Sequence, residues 1–384
     1  MSKDNKYIPS GYKPSPLGPI PEDWEVKRLG EICTHFKSGI TITSKDIHED
    51  GLYPVYGGNG LRGYANTFTH DGSYILIGRQ GALCGNVNYV DGKNYISEHA
   101  IAVQTNENVQ WLKYKLENWN LNRFSESSAQ PGLSVEKLVR YKLSVPTLKE
   151  QNKIADILSL WDTAIAKQTA LIEQLTLRKR GLMQQLLTGK KRLKGFEGGN
   201  FHRLGNYISE CTRRNAGCNR VLSVTNTRGF ILQEEQFDKI VASNDTSNYK
   251  VVRRGEFAYN PSRVNVGSLA MLNEYDEGIL SPMYIVFKAN ENIDKNYLLQ
   301  CLQSYWFRGH IPAYTQGSVR DSLSFDGLCS MKFYIPTPQE QKAISAILEY
   351  ADKEIELANE KLARLQEEKR GLMQVLLTGK RRVK

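Results

Sequence analysis

Two stretches of the chain carry the same apolar rhythm. In the first, apolar residues stand at Ile154, Leu158, Trp161, Ile165, Ile172, Leu175, Leu182 and Leu186; in the second, at Ile344, Leu348, Ala351, Ile355, Ala358, Leu362, Leu365, Leu372 and Leu376. The steps alternate four and three, which is a heptad seam, interrupted at Gln168 and Lys179 in the first stretch and at Lys369 in the second. Each stretch opens on a capping-box pattern, Thr147-x-x-Glu150 or Thr337-x-x-Glu340, and Pro338 suits the first helical position of the second. Each closes on a glycine followed by cations, Gly189 or Gly379. Helices of about 40 residues, roughly 60 Å at 1.5 Å per residue, are predicted. Such a helix would overhang a globule of about 140 residues, so the seams are expected to pair with each other rather than each to lie on its own globule.

Residues 20–146 and 200–336 read differently. Tyr74-Ile75-Leu76-Ile77, Ile101-Ala102-Val103 and Tyr284-Ile285-Val286-Phe287 are strand-like and punctuated by Gly and Asn turns, while 109–121 and 296–307 have helical patterning. The expected fold class is α+β: two mixed α/β globules separated by two long helices that pair as an antiparallel coiled coil, in a pseudo-twofold tandem repeat. The boundaries are 1–19 for an N-terminal tail, 20–146 for the first globule, 147–190 for its helix, 191–199 for a linker, 200–336 for the second globule and 337–384 for the second helix.

The repeat is explicit. Residues 145–194 and 335–384 align without a gap, and 23 of the 50 positions are identical. The same offset carries upstream to Leu133, Ser134 and Leu138 against Leu323, Ser324 and Leu328; before that only echoes remain, such as Arg28-Leu29-Gly30 against Arg203-Leu204-Gly205. A period this long is a duplicated unit, not a solenoid. Constant backs imply a duplicated partner, and divergent fronts imply two different ligands of one kind.

The 384 residues include 51 Lys and Arg against 41 Asp and Glu, a formal charge of +10, with 40% hydrophobic residues. That is enough apolar material for two or three domains, and the mild basicity points toward a polyanion. The six cysteines form no C-x-x-C pair and the six histidines fall singly, so neither a zinc site nor a disulfide framework is expected. No run approaches the roughly 20 apolar residues of a membrane span, and MSKDNKYIPS lacks a signal core, so a cytoplasmic protein is expected.

Catalytic signatures are missing. Asn260-Pro261-Ser262-Arg263 lacks the second proline and the aromatic of an amino-methyltransferase loop, and reads as a turn. Leu186-Leu187-Thr188-Gly189-Lys190-Lys191 resembles the end of a phosphate-binding loop, but Gln184 stands where that loop needs glycine. Neither a nuclease acid cluster nor a Ser/His/Asp order is evident.

The arrangement resembles the specificity subunit of type I restriction-modification systems, over essentially the whole chain. The resemblance rests on Pro21-Glu22-Asp23-Trp24 leading to Arg28-Leu29-Gly30, on the P-T-x-x-E-Q-x-x-I box at 146–154 and 336–344, and on K-R-G-L-M-Q-x-L-L-T-G-K at 179–190 and 369–380. Tyr53-Pro54-Val55-Tyr56-Gly57 and Ile77-Gly78-Arg79-x-Gly81 also look like that family's target-recognition domains; in the second globule Asn260-Pro261-Ser262-Arg263-x-Asn265-x-Gly267 stands in place of the latter. The resemblance implies a non-catalytic DNA reader. Each target-recognition domain would read one half of a split, asymmetric double-stranded DNA target, and the helices would set the spacing and bind two adenine methyltransferase subunits. Glu150, Gln151, Glu340 and Gln341 are the expected partner-binding residues. Motor-nuclease subunits would complete a restriction complex. No cofactor is expected in this chain; the methyltransferase would use S-adenosylmethionine, and the motor-nuclease ATP and magnesium.

Direct readout uses Arg or Lys for guanine and Asn or Gln for adenine, carried on loops. In the first globule the candidates are Lys37, Asn59, Arg62, Arg79, Gln80 and Gln130; in the second they are Arg213, Arg214, Arg228, Arg263, Asn265, Gln316 and Arg320. Fewer than half are expected to touch a base edge, since most protein–DNA hydrogen bonds go to the backbone. The basic runs 178–180, 190–194, 369–370 and 380–384 read equally as phosphate clamps and as solvated helix ends. The competing reading is a coiled-coil scaffold whose globules bind protein or sugar, which the basic charge disfavours.

Overall fold

The computed structural model describes residues 8–81, 83–125, 132–236, 245–315 and 322–383. Two compact units divide the chain, Met1–Gln168 with Lys361–Lys384 and Thr169–Glu360. The division falls inside the long helices and not in the linker, so each unit holds the first part of one helix and the last part of the other.

In the first unit an antiparallel sheet runs in the order Cys33–Ser38, Ala100–Thr105, Tyr74–Gly78, Val87–Val90. Its central strands are buried on both faces, so they appear in the sequence as unbroken apolar runs. Ile101 and Val103 face a core shared with Trp24, Trp111 and Leu112, while Ala100 and Ala102 face Leu76, Tyr74 and Ile96. A second sheet joins Tyr53–Gly57 to its hairpin partner Gly60–Ala65 and, in parallel, to Lys93–Ile96. The helix Val109–Asn118 starts where Asn108 Oδ1 accepts from Trp111 N at 2.8 Å.

The second unit repeats this plan. Its four-stranded sheet is Ile208–Glu210, Ile285–Ala289, Phe257–Tyr259, Leu269–Met271, accompanied by the hairpin Leu222–Thr225 with Gly229–Leu232 and by the antiparallel pair Lys250–Arg253 with Glu277–Leu280, between which two strands of the sheet run. Asp294 caps Lys295–Gln303 as Asn108 caps its counterpart. The helical run expected over 296–307 is interrupted at Ser304, whose backbone is extended and whose Oγ accepts from Phe307 N at 3.1 Å to start a new helix, Tyr305–His310.

A two-stranded ribbon leads into each long helix, Glu25–Arg28 with Lys142–Val145 and Asn200–Arg203 with Lys332–Ile335. The helices themselves span Leu148–Leu186 and Pro338–Leu376. Both stop as expected. Gly189 and Gly379 have φ of +68° and +75°, and a Cβ there would come within 2.8 Å of the Tyr334 ring or 2.7 Å of Pro21, so conformation and packing both require glycine.

The helices pair antiparallel within each unit. In the first, Asp162 accepts from Lys369 at 2.6 Å and Glu150 from Arg382 at 2.8 Å; in the second, Asp352 pairs with Lys179, Glu354 with Arg178 and Glu340 with Arg192. Every step forward on one helix is a step back on the other. The interruptions at Lys179 and Lys369 are therefore register markers, each a seam cation set against an aspartate of the facing helix. Pairing and packing on a globule prove not to be alternatives. Ile154, Ala155 and Leu158 of the first helix and Met373, Leu376 and Leu377 of the second enter the same core of the first unit, and Ile344, Leu348, Met183, Leu186 and Leu187 do so in the second.

The capping boxes are half formed. Thr147 Oγ1 and Thr337 Oγ1 accept from Glu150 N and Glu340 N at 3.4 and 3.5 Å, but neither glutamate carboxylate reaches back to its own cap. Glu150 instead accepts from Trp24 Nε1 at 2.8 Å and from Arg382, and Glu340 accepts from Arg192 Nε at 2.9 Å. The adjoining glutamines work alike. Gln151 Nε2 donates to Pro146 O and Gln341 Nε2 to Pro336 O, while their Oε1 atoms accept from Asn108 N and Asp294 N. Glu150, Gln151, Glu340 and Gln341 are all buried. The four residues expected to meet a partner are thus each hydrogen-bonded inside their own unit, and of them Glu150 alone keeps a small exposed surface, in a hollow it lines with Asp23 and Arg382.

Candidate nucleic-acid interface

In the first unit the hairpin tip at 57–60 lies backbone to backbone on the end of the strand Tyr74–Gly78. A Cβ on Gly58 would fall 2.8 Å from His99 O and 3.1 Å from Gly78 Cα, and one on Gly78 would fall 2.8 Å from Gly58 O. Glycine at both positions lets the loops touch, which brings exposed Asn59 beside Arg79 and Gln80. The Arg79 backbone is held at both ends, its N–H donating to His99 O and its carbonyl accepting from Leu133 N, each at 2.9 Å. Its side chain is left partly exposed. Arg62 lays its stem over Gly57, where an added Cβ would meet Arg62 Cδ at 2.7 Å. Asn59, Arg62, Arg79 and Gln80 thus gather at one loop cluster. Lys37 is exposed on the edge strand, paired with Ala102.

Sequence reasoning missed three residues here. His99 is half exposed beside Glu98, and Leu61 and Leu83 are exposed apolar side chains on the same loops. The available signal was an apolar residue inside a glycine-rich loop, where an exposed methyl group suits a thymine methyl.

In the second unit the loop 260–268 occupies the corresponding place. Leu323 N donates to Pro261 O at 3.1 Å, as Leu133 N does to Arg79 O. The loop is shaped by Asn260 Oδ1 accepting from Ser262 N at 3.1 Å and by Gly267 at φ +96°. Arg263 and Asn265 are exposed on it. The turn that carries Arg228 comes alongside, since a Cβ on Gly267 would lie 3.3 Å from Asn226 Cβ and 3.6 Å from an Arg308 guanidinium nitrogen. Arg308, on the short helix after Ser304, joins this cluster and was not anticipated.

Arg213 and Arg214 do not join it. They rim a separate groove of about 800 Å³ with Arg220 and Arg253, beyond the other end of the strand Phe257–Tyr259. Arg213 is paired with the buried carboxylate of Glu256, which raises its pKa further, and Arg214 donates to Asn248 O at 2.6 Å. Gln130, Gln316 and Arg320 lie outside the described residues.

The basic runs are partly occupied internally. Arg178, Lys179, Arg192, Lys369 and Arg382 all face carboxylates of their own unit. Arg382 holds Asp23 below the usual carboxylate range and is itself raised by Glu150 and Asp23. The phosphate-clamp reading is therefore restricted to the cations left over, among them Arg180, Lys190, Lys191, Arg370 and Lys380. Among the described residues no cluster of His, Cys, Asp and Glu is placed to hold a metal, and no helix is long and apolar enough to cross a membrane.

Two repeated frameworks each present polar loops at the same place. A family model described as the type I restriction modification DNA specificity domain matches residues 21–177 and 233–367. The chain belongs to this family and is its non-catalytic, DNA-recognising specificity subunit. It is 46% identical to the specificity subunit of the type I restriction enzyme EcoprrI of Escherichia coli over 143 residues, 36% of this chain and 35% of that protein. Similarity to the MjaVIII specificity subunit of Methanocaldococcus jannaschii runs at 25% identity over 95% of this chain and 94% of that one. The fold is shared with the crystal structure of a type I system S subunit from M. genitalium, at a TM-score of 0.59 and 14% identity over 92% of this chain and 96% of the other.

Proposed function

We propose that the two units read the two halves of a gapped, asymmetric DNA target, through recognition domains 20–146 and 200–336. The long helices set the number of unread base pairs and hold two adenine methyltransferase subunits, to which motor-nuclease subunits are added for restriction. S-adenosylmethionine, ATP and magnesium belong to those partners, and the assembly works in the cytoplasm.

One observation carries this reading. The same backbone hydrogen bond supports a loop at the same place in each unit, from Leu133 N to Arg79 O and from Leu323 N to Pro261 O. Yet the loops differ, Gly78-Arg79-Gln80-Gly81 in one and Asn260-Pro261-Ser262-Arg263 in the other. Equal presentation with unequal donors suits two different base sequences. A helix of 39 residues, about 58 Å long, exceeds the roughly 34 Å of one B-DNA turn, which suits readers that engage separate major grooves.

The test is co-expression with a methyltransferase subunit from the same system and genome-wide mapping of methylated adenine. A split motif is expected, of which one half alone changes when residues 20–146 are replaced by those of a relative. A motif that changes in both halves, or in neither, overturns the two-reader mechanism.

A further inference from the structure

A third element recurs in the two recognition frameworks. In the first unit the chain turns at 97–99 between the strands Lys93–Ile96 and Ala100–Thr105, and Ala100 N donates to Ser97 O at 3.0 Å. In the second it turns at 281–283 between Glu277–Leu280 and Ile285–Ala289, and Tyr284 N donates to Ser281 O, also at 3.0 Å. The frame and the opening serine are common to both, but the next two residues are not. Glu98-His99 stands in one copy and Pro282-Met283 in the other.

The first of these turns lies where the loops of its unit meet. Ser97 N donates to Tyr56 O at 2.8 Å, His99 O accepts from Arg79 N at 2.9 Å, and a Cβ on Gly39 would collide with the carbonyls of Ile96 and Ser97. The turn is thus seated between the hairpin tip at 57–60 and the loop of Arg79, which places Glu98 as an anion beside the cluster of Asn59, Arg62 and Arg79. Among the described residues no Lys or Arg forms an ion pair with Glu98; His99 Nε2 lies 3.5 Å from its Oε1. Its Oε2 is buried and has no hydrogen-bond partner among those residues.

A buried acceptor left unpaired is costly and rare in folded proteins. A carboxylate facing DNA is also repelled by the phosphates. One kind of ligand group answers both costs, an amine on a base edge. Cytosine offers its N4 amine with no acceptor on its own major-groove edge, whereas adenine sets N7 beside N6 and would oppose the second carboxylate oxygen. The guanine paired with that cytosine shows only acceptors, which suits the neighbouring Arg79.

In the second unit the same place is apolar. Met283 is more than half exposed, and its sulfur accepts at 3.6 Å from Asn260 Nδ2, on the loop that carries Arg263 and Asn265. Val266 of that loop is also more than half exposed. Apolar side chains raised among polar reading residues suit the C5 methyl group of thymine.

We infer that this turn reads one base pair in each half of the target: Glu98 accepts from the N4 amine of a cytosine in the first half, and Met283 packs on the C5 methyl of a thymine in the second. This rests on the two-reader function proposed above and adds the chemistry of one position in each half. The unpaired buried oxygen separates Glu98 from an ordinary surface acid, and the change from acid to thioether on an unchanged frame separates a reading position from a structural one.

The test uses the full chain with its methyltransferase, first to map the methylated motif and then in equilibrium binding to duplexes carrying it. The first half is expected to contain a fixed C·G pair, which Glu98→Ala relaxes by about tenfold in discrimination at that position alone. Glu98→Gln, nearly isosteric, is expected to shift the same position toward A·T, since an amide matches adenine N6 and N7 together. In the second half, deoxyuridine placed at each thymine in turn removes one methyl group, and at one position this should weaken wild-type binding about fourfold. Met283→Ala should bind the two duplexes of that position alike. A first half without a fixed C·G pair, or one that both Glu98 variants leave unchanged, overturns the glutamate assignment. So does an equal change on specific and scrambled duplexes, which would make Glu98 a general charge. A second half without thymine, a wild type indifferent to uracil, or a sensitivity that Met283→Ala leaves intact overturns the methionine assignment. A wild-type complex that methylates no split motif overturns the parent reading instead, and this one with it.

Discussion

The roots of the two long helices are built alike but supported differently. In both units a buried glutamate takes an arginine from just beyond the end of the facing helix, Glu150 with Arg382 and Glu340 with Arg192. In the first unit Trp24 adds an indole N–H to the carboxylate; in the second, among the described residues, no indole donates to Glu340, and Arg192 lies 5.9 Å from the Tyr334 ring centre. Deeper still, Lys115 of the first unit is buried with Ser144 Oγ and Leu377 O as its partners among the described residues, where the second unit carries buried Cys301. The ion pair is thus the framework's fixed element, and its surroundings are interchangeable.

The largest expected effect comes from breaking that pair. Arg382→Met leaves Glu150 buried and unpaired, a loss of about 3–5 kcal/mol in the first unit. Hydrogen exchange resolved by segment should show early opening of 20–146 and little change in 200–336. Arg382→Met combined with Glu150→Gln should recover most of the loss. Equal loosening of both units would deny that the pairs act locally.

Lys115 sharpens the contrast between the units. Burial lowers its pKa to about 7, so between about pH 7 and its ordinary value the unfolded chain binds more protons than the folded one. Stability of the first unit from this residue therefore rises with pH across that window, and its penalty is full below it. Lys115→Met is expected to raise melting at pH 6, by about 2–4 °C for each kcal/mol gained, with the gain shrinking toward pH 10. Cys301→Ala should show no such pH dependence over the acid half of that range, since burial pushes its thiol up to about 12. A gain from Lys115→Met that does not vary with pH would place the lysine's cost elsewhere.

Smaller effects belong to the loops. Arg79→Ala and Arg263→Ala should each relax one base position in one half of the methylation motif, about 1–3 kcal/mol of discrimination. Arg214→Ala or Arg220→Ala, at the separate groove, should weaken binding to all sequences alike and lower the salt dependence by about one phosphate. Titration of each variant against specific and scrambled duplexes at several salt concentrations separates the two cases.

Whether a residue's role was legible in the sequence depended on how far away its cause lies. Helix stops were readable because Gly189 and Gly379 answer to their own φ. The starts were half readable: Thr147 and Thr337 cap locally, but Glu150 and Glu340 had a choice between a nearby amide and an arginine on the facing helix, and only the nearby option shows in the sequence. Lys179 and Lys369 looked like flaws in a seam until their aspartates were placed opposite. Among the candidate readers, Asn59, Arg62, Arg79 and Gln80 assemble because glycines let two loops touch. Arg213 and Arg263 part because they belong to opposite ends of one strand, which residue type does not encode.

The composition of the first unit has a consequence for its synthesis. Its core needs Met373, Leu376 and Leu377, and these leave the ribosome only after every residue of the second unit has been made. Until then Ile154, Ala155 and Leu158 lack the neighbours that cover them. The nascent chain therefore holds its earliest-made globule open while the later one is translated, and closes it from behind.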